Sequence, residues 1–154
     1  MIRNFSVFYV GNIELDDIGL SGQAANDRRY SNSQLIQSFE TAERAATLMD
    51  KLGFYALWMA EHHFQREGYE CIPNIILLGT HLAAKTERLK FGCGFNIVPM
   101  WHPLRLAEDY ATADVLTGGR MIFGVGRGYH TREVETFSAP VIDNDKNRDL
   151  FEEQ

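Results

Sequence analysis

Phe54-Tyr55-Ala56-Leu57-Trp58-Met59, followed at once by Ala60-Glu61-His62-His63-Phe64, is the stretch that decides the fold. Its first six residues are almost uniformly apolar and of strand length. They lack the alternation of a sheet that faces water on one side, so they suit a strand covered on both faces, as in a parallel sheet. Upstream, Leu35, Phe39, Ala42, Ala46 and Met49 recur at steps of three and four, the spacing of one apolar helix face. Ser31 and Gln34 fit a capping box at the start of that helix, and Gly53 fits the glycine that ends it. Further back, Phe5-Ser6-Val7-Phe8-Tyr9-Val10 is a short β-prone run that stops at Gly11-Asn12. The polar stretch from Gly11 to Tyr30 reads as a long loop, a length that is usually functional or disordered.

Downstream the strand-then-helix cycle repeats twice. Pro73 leads into a helix expected from Asn74 to about Lys85, and Leu89 to Phe95 forms the next strand. Pro103 takes a first helical position, the helix runs to about Leu116, and Gly118-Gly119 breaks it. Met121-Ile122-Phe123-Gly124-Val125 is the fourth strand. The order βαβαβαβ predicts a parallel sheet with right-handed crossovers. Trp58, Phe91 and Phe123, inside apolar strands, are expected in the core.

Two α/β architectures fit. A doubly wound sheet could be complete in this length, whereas an eight-stranded (β/α)8 TIM barrel typically needs about 250 residues. The run Asp143 to Gln154 reads as the start of a helix cut short, which favours the N-terminal half of a barrel, about four βα units. Residues 1–154 are then the first part of one barrel domain.

Hydrophobic residues make up 45% of the 154 and charged ones 23%, a globular balance. The net charge of −6, with no Lys/Arg run, argues against nucleic acid or an acidic membrane as partner. Cys71 and Cys93 form neither a disulfide framework nor a zinc-ligand pattern, so they read as buried thiols of a reduced, cytoplasmic protein. The first residues lack the apolar core of a secretory signal, and the most apolar stretch, Ile75 to Ala84, is far too short to span a bilayer.

Three segments carry candidate chemistry, each at the C-terminal end of a strand, where a parallel barrel builds its active-site mouth. In Ala60-Glu61-His62-His63-Phe64 a histidine could exchange protons or donate a hydrogen bond near neutral pH, or the two could simply be polar loop histidines; no metal spacing is present. Gly92-Cys93-Gly94-Phe95-Asn96 could let a planar ligand approach the backbone, or mark a tight packing corner. Gly124-Val125-Gly126-Arg127-Gly128-Tyr129 resembles a nucleotide loop but lacks the third glycine of the dinucleotide fingerprint. It presents Arg127, whose planar fork suits a phosphate; Arg148 is a second phosphate candidate, or a solvated helix charge.

Together these residues resemble the bacterial luciferase family of flavin-dependent monooxygenases. The match runs in order through Ala60-Glu61-His62-His63-Phe64, Thr86-Glu87-Arg88-Leu89-Lys90, His102-Pro103-Leu104-Arg105 and Ala107-Glu108-Asp109. It continues through Gly118-Gly119-Arg120, Phe123-Gly124-Val125-Gly126-Arg127-Gly128 and Asn147-Arg148. The resemblance implies a TIM barrel, commonly dimeric, that receives reduced FMN from a separate flavin reductase. With O2 the family forms a flavin C4a-peroxide that oxidises a small organic substrate. It further implies His62 as the catalytic histidine, and Gly94-Phe95-Asn96 as a bulge behind the flavin ring, often with a non-prolyl cis peptide. Gly126 stands where luciferase has a reactive cysteine, and Arg127, the Tyr129 backbone and Arg148 fall on phosphate-contacting positions, beside Gly128. Light emission is not implied. Relatives of the same barrel use deazaflavin F420 for hydride transfer, and a non-catalytic flavin-binding half-barrel that pairs with a second copy or a complementary half is a further alternative.

Overall fold

Strands β1 (Ser6–Tyr9), β2 (Ala56–Met59), β3 (Lys90–Cys93) and, after a two-residue strand β4 (Asn96–Ile97), β5 (Met121–Ile122) define the architecture. In this computed structural model, which describes residues 2–13, 29–65, 70–137 and 144–154, β1, β2, β3 and β5 lie side by side in that order, all parallel. The second two-stranded piece pairs β4 with β6 (Val125–Gly126), also in parallel. Spatial order therefore follows chain order without a reversal. A doubly wound sheet reverses at its switch point; a barrel does not. The chain forms a partial TIM barrel of about four strands.

The helices sit where the periodicity placed them. Helix α1 (Asn32–Leu52) starts at Ser31 with both capping-box bonds made and ends at Gly53 in the left-handed conformation. Helix α2 (Ile75–Ala83) is capped by Asn74, whose side chain accepts from the Leu77 N–H, and α3 (Pro103–Thr117) begins on its proline. Two further helices follow: α4 (Thr131–Thr136), which the sequence reading did not anticipate, and α5 (Asn144–Glu153) in the expected terminal segment. Most of the expected Gly11–Tyr30 loop, and Asp143, lie outside the described residues.

Parallel register aligns side chains in rows across the sheet. Leu57 and Phe91 occupy one row and are fully buried against α1, α2 and α3 in a core that includes Met49, Ile75, Leu82 and Leu106. Phe8, Trp58, Gly92 and Ile122 occupy the next row, on the opposite, barrel-interior face. There Trp58 is half-buried and Phe8 is 56% exposed, so the expectation of cover on both faces holds only for the helical side. Gly92 makes room for the Trp58 indole: a Cβ there would stand 2.4 Å from a ring carbon.

Two expected strands are interrupted. Leu89–Phe95 breaks at Gly94-Phe95, a cis peptide bond, before resuming as β4. Met121–Val125 breaks at Phe123-Gly124, and Phe123 turns out of the core, 64% exposed against the Tyr110 ring. The two strands approach closely there: a Cβ at Gly124 would lie 1.8 Å from the Cys93 carbonyl oxygen, so glycine alone fits that position. Both cysteines are buried and unbridged, and burial pushes the Cys93 thiol up to about 12. Among the described residues, no helix is long and apolar enough to cross a membrane.

Candidate active site

The exits of β2, β4 and β6 meet at the C-terminal end of the sheet, around a cavity of about 480 Å³. That is within the range of small-molecule sites. Its wall takes in His62 from the β2 exit, Gly94 and Phe95 from the β3–β4 kink, and Gly126, Arg127, Gly128 and Tyr129 from the β6 exit. These were separate candidates in the sequence, and folding brings them to one place.

Asn96 and Arg148 sit differently. Asn96 is fully buried beneath the wall: its amide donates to Glu61 at 2.8 Å, and its carbonyl accepts from the Tyr110 hydroxyl at 2.6 Å. Arg148 is exposed on α5 and is not part of the wall; its neighbour Asn147 is buried and donates to the Arg127 carbonyl at 3.3 Å. Helix α5 is therefore held against the Arg127 loop, with Arg148 beside rather than inside the cavity.

Glu61, at the end of β2, is the hub under the floor. Fully buried as a side chain, it accepts from Asn96, from the Ile97 N–H and from the Trp101 indole, each at 2.8 Å, and bonds His63 Nε2 at 2.9 Å. Four partners satisfy a polar group whose burial would otherwise be costly. Those bonds lock the kinked β4 segment to β2 and commit the His63 ring to the interior.

His62 is held from the other side. Its Nδ1 lies 3.1 Å from Glu133 Oε1, and its Nε2 lies 3.0 Å from Glu70 Oε2. The Tyr129 and His130 rings meet it edge-on, with centroids 6.2 and 5.5 Å away. Burial opposes the imidazolium, but the hydrogen bond and charge of Glu133 and the charges of Glu70 and Glu61 outweigh it, so His62 titrates above its ordinary value. Burial likewise opposes ionisation of Glu133, yet its bonds to His62, Gln65 and the His63 N–H hold its carboxyl below the usual range. Burial raises the Tyr129 phenol, helped by the charges of Glu70 and Glu133.

Glu61, Glu70, Tyr110, His130 and Glu133 are the site residues that sequence reading missed. Glu61 was quoted within a motif but given no role; Glu133 lies in a short polar helix with no signal of its own. His62, Glu70 and His130 offer ligand atoms within 4.8 Å of one another, a spacing a metal could use, and within that cluster His62 Nε2 and Glu70 Oε2 form an ion-pair contact at 3.0 Å.

Comparison with known proteins gives this geometry a family. The model of the luciferase-like monooxygenase family matches residues 17–154. The oxygenase component of the flavin-dependent trigonelline monooxygenase of Acinetobacter baylyi is 32% identical over 99 residues, 64% of this chain and 27% of that protein. Limonene 1,2-monooxygenase of Rhodococcus erythropolis is 32% identical over 114 residues, 74% of this chain and 28% of its own. Among solved structures, the oxygenating constituent of 3,6-diketocamphane monooxygenase from Pseudomonas putida, in complex with FMN, superposes with a TM-score of 0.76 at 21% identity. That match covers 98% of this chain and 38% of the other, and it speaks for the fold alone. The chain thus spans under a third of the length of these two curated relatives. With its partial barrel and its cavity at the strand ends, the chain belongs to the luciferase-like monooxygenase family.

Proposed function

We propose that the full chain is the oxygenase component of a flavin-dependent monooxygenase that uses reduced FMN and O2 to oxidise a small organic substrate. The observation that carries the proposal is the single cavity in which His62, Phe95 and Arg127 converge. The residues present fit a flavin. Phe8 and Phe95 offer exposed aromatic surface to a flat ring, and Gly126 leaves the slot against Phe95 open, since a Cβ there would crowd Phe95 at 3.2 Å. Among the described wall residues, Arg127 is the one guanidinium, suited to a phosphate. Bound reduced FMN would supply the electrons that activate O2.

This chain's own residues supply the rest. The kink at Gly94-Phe95, backed by Asn96 and Glu61, would support the ring, and the loop 126–129 would hold the phosphate, with Arg148 at its margin. His62 would hold or move a proton at Nε2, the nitrogen on the Glu70 side. Burying the ring beneath the remainder of the barrel would exclude water. The trigonelline relative's description as an oxygenase component supports a separate flavin reductase as partner. A homodimer is the assembly proposed, and the cytoplasm the compartment.

The test is a fluorescence titration of the full chain with FMN and with riboflavin. Arg127→Ala should weaken FMN by roughly tenfold to hundredfold, the worth of one charge-assisted hydrogen bond of about 1.5–3 kcal/mol, and leave riboflavin nearly unchanged. Equal losses for both ligands would remove the phosphate role. A parallel titration in which F420 binds tightly and FMN does not would replace oxygenation with hydride transfer.

A further inference from the structure

Two adjacent histidines leave β2, each facing a buried carboxylate, and the two carboxylates do different things. Glu61 takes His63 Nε2 into a network that also holds Asn96, Ile97 and Trp101, so that ring is fixed under the floor. Glu133, 2% exposed, reaches across from α4 to bind His62 instead. Its Oε1 lies 3.1 Å from His62 Nδ1 and accepts from the His63 N–H at 3.0 Å and from Gln65 Nε2 at 2.8 Å; its Oε2 lies 3.3 Å from the same Nδ1. One carboxylate from a distant helix therefore clamps the β2 exit loop at His62, His63 and Gln65.

We propose that Glu133 is the positioning residue of His62: it keeps a proton on Nδ1 in both charge states, so that Nε2 is the nitrogen that gains and loses a proton at the cavity. The proposal rests on the functional reading of His62 given above. The reason is one of donor and acceptor inventory. An ionised carboxylate only accepts, so a buried one opposite Nδ1 is satisfied by Nδ1–H and repelled by a lone pair there. The same rule recurs wherever a carboxylate sets the tautomer of a working imidazole. Nε2 is left on the side of Glu70, which is half-buried and lines the cavity. The groups facing the ring are then Glu133 from α4, Glu70 from the loop before α2, Glu61 at the end of β2, and the Tyr129 and His130 rings from the β6 exit. The carboxylates favour the imidazolium, but Glu70 acts on Nε2 through its charge from a partly exposed position. The buried Glu133 is the carboxylate hydrogen-bonded to the ring, at Nδ1, and so decides which nitrogen titrates.

The test is 15N NMR of the His62 ring in the full chain without cofactor, read alongside the pH dependence of kcat. In the parent protein, neutral His62 should carry its proton on Nδ1, and its midpoint should lie above that of a free imidazole. Glu133→Gln keeps an acceptor oxygen but removes the charge: the midpoint should move down, the acid limb of the kcat profile should move with it, and Glu133→Asp should restore most of both. Turnover at neutral pH should fall by roughly tenfold in the glutamine variant, less than the hundredfold or more expected for His62→Ala. A neutral parent ring protonated on Nε2 would overturn the proposal even if no variant folded. So would a glutamine variant that folds and titrates like its parent. If the ring behaves as expected but His62→Ala turns over at the parental rate, the positioning stands and the functional reading of His62 falls.

Discussion

At the scale of single residues, the site is a set of buried charges made tolerable by their partners. His62 and Glu133 stabilise the fold in a defined pH window. Because the folded-state His62 titrates above its unfolded value of 6.5, its contribution is complete below that value and is lost as pH rises through the folded midpoint. Glu133 titrates below its unfolded value of 4.5, so its contribution is present above that value and is lost as pH falls through the folded midpoint. The pair should stabilise most between 4.5 and 6.5. Glu133→Ala should therefore cost about 3–5 kcal/mol in that window, the penalty of breaking a buried pair, and less at alkaline pH. Urea denaturation of parent and variant at mildly acidic and alkaline pH checks this; a cost independent of pH would mean that packing alone is lost. His62 was legible in the sequence through its ordered resemblance to a family. Glu133 was not: Thr-Arg-Glu-Val-Glu-Thr reads like any solvated helix, and only the fold carries its third residue to the end of β2.

At the scale of elements, the strand–helix alternation was legible almost throughout, because caps and periodicity are local. Ser31, Gly53, Asn74 and Pro103 mark helix ends in the sequence as they do in the structure. The interruption at Gly94-Phe95 was legible only through the family resemblance, which implied a bulge and a cis peptide there. The one at Phe123-Gly124 was not legible, since an apolar run shows hydrophobicity and not where a strand breaks. Arg120, quoted only within a family motif, also has a mechanical role that spacing could not reveal. Its guanidinium donates to the Ala83 carbonyl at 2.7 Å, the Thr117 carbonyl at 2.8 Å and the Thr86 carbonyl at 3.1 Å. It thereby closes the C-terminal ends of α2 and α3 at once, where a cation also suits the helix dipoles. Arg120→Lys cannot reproduce that planar fork. It should lower stability by about 1.5–3 kcal/mol while leaving FMN affinity unchanged. A denaturation midpoint equal to the parent's would show that the lysine ammonium suffices.

At the scale of the molecule, the sheet is half of a closed object. Phe8 and Phe123 stand exposed, and each outer strand, β1 and β5, pairs on one side only among the described residues. Open edges and bare aromatics promote association. Residues 1–154 should sediment as concentration-dependent oligomers and bind a hydrophobic dye; a dye-silent monomer would mean that the open face is covered within this segment. The buried Cys93 has a use at the same scale. A thiol that is fully enclosed and ionises only near 12 does not meet an alkylating reagent in the closed state. Its rate of modification therefore counts how often the strands part, giving a native stopwatch for barrel breathing that needs no engineered probe.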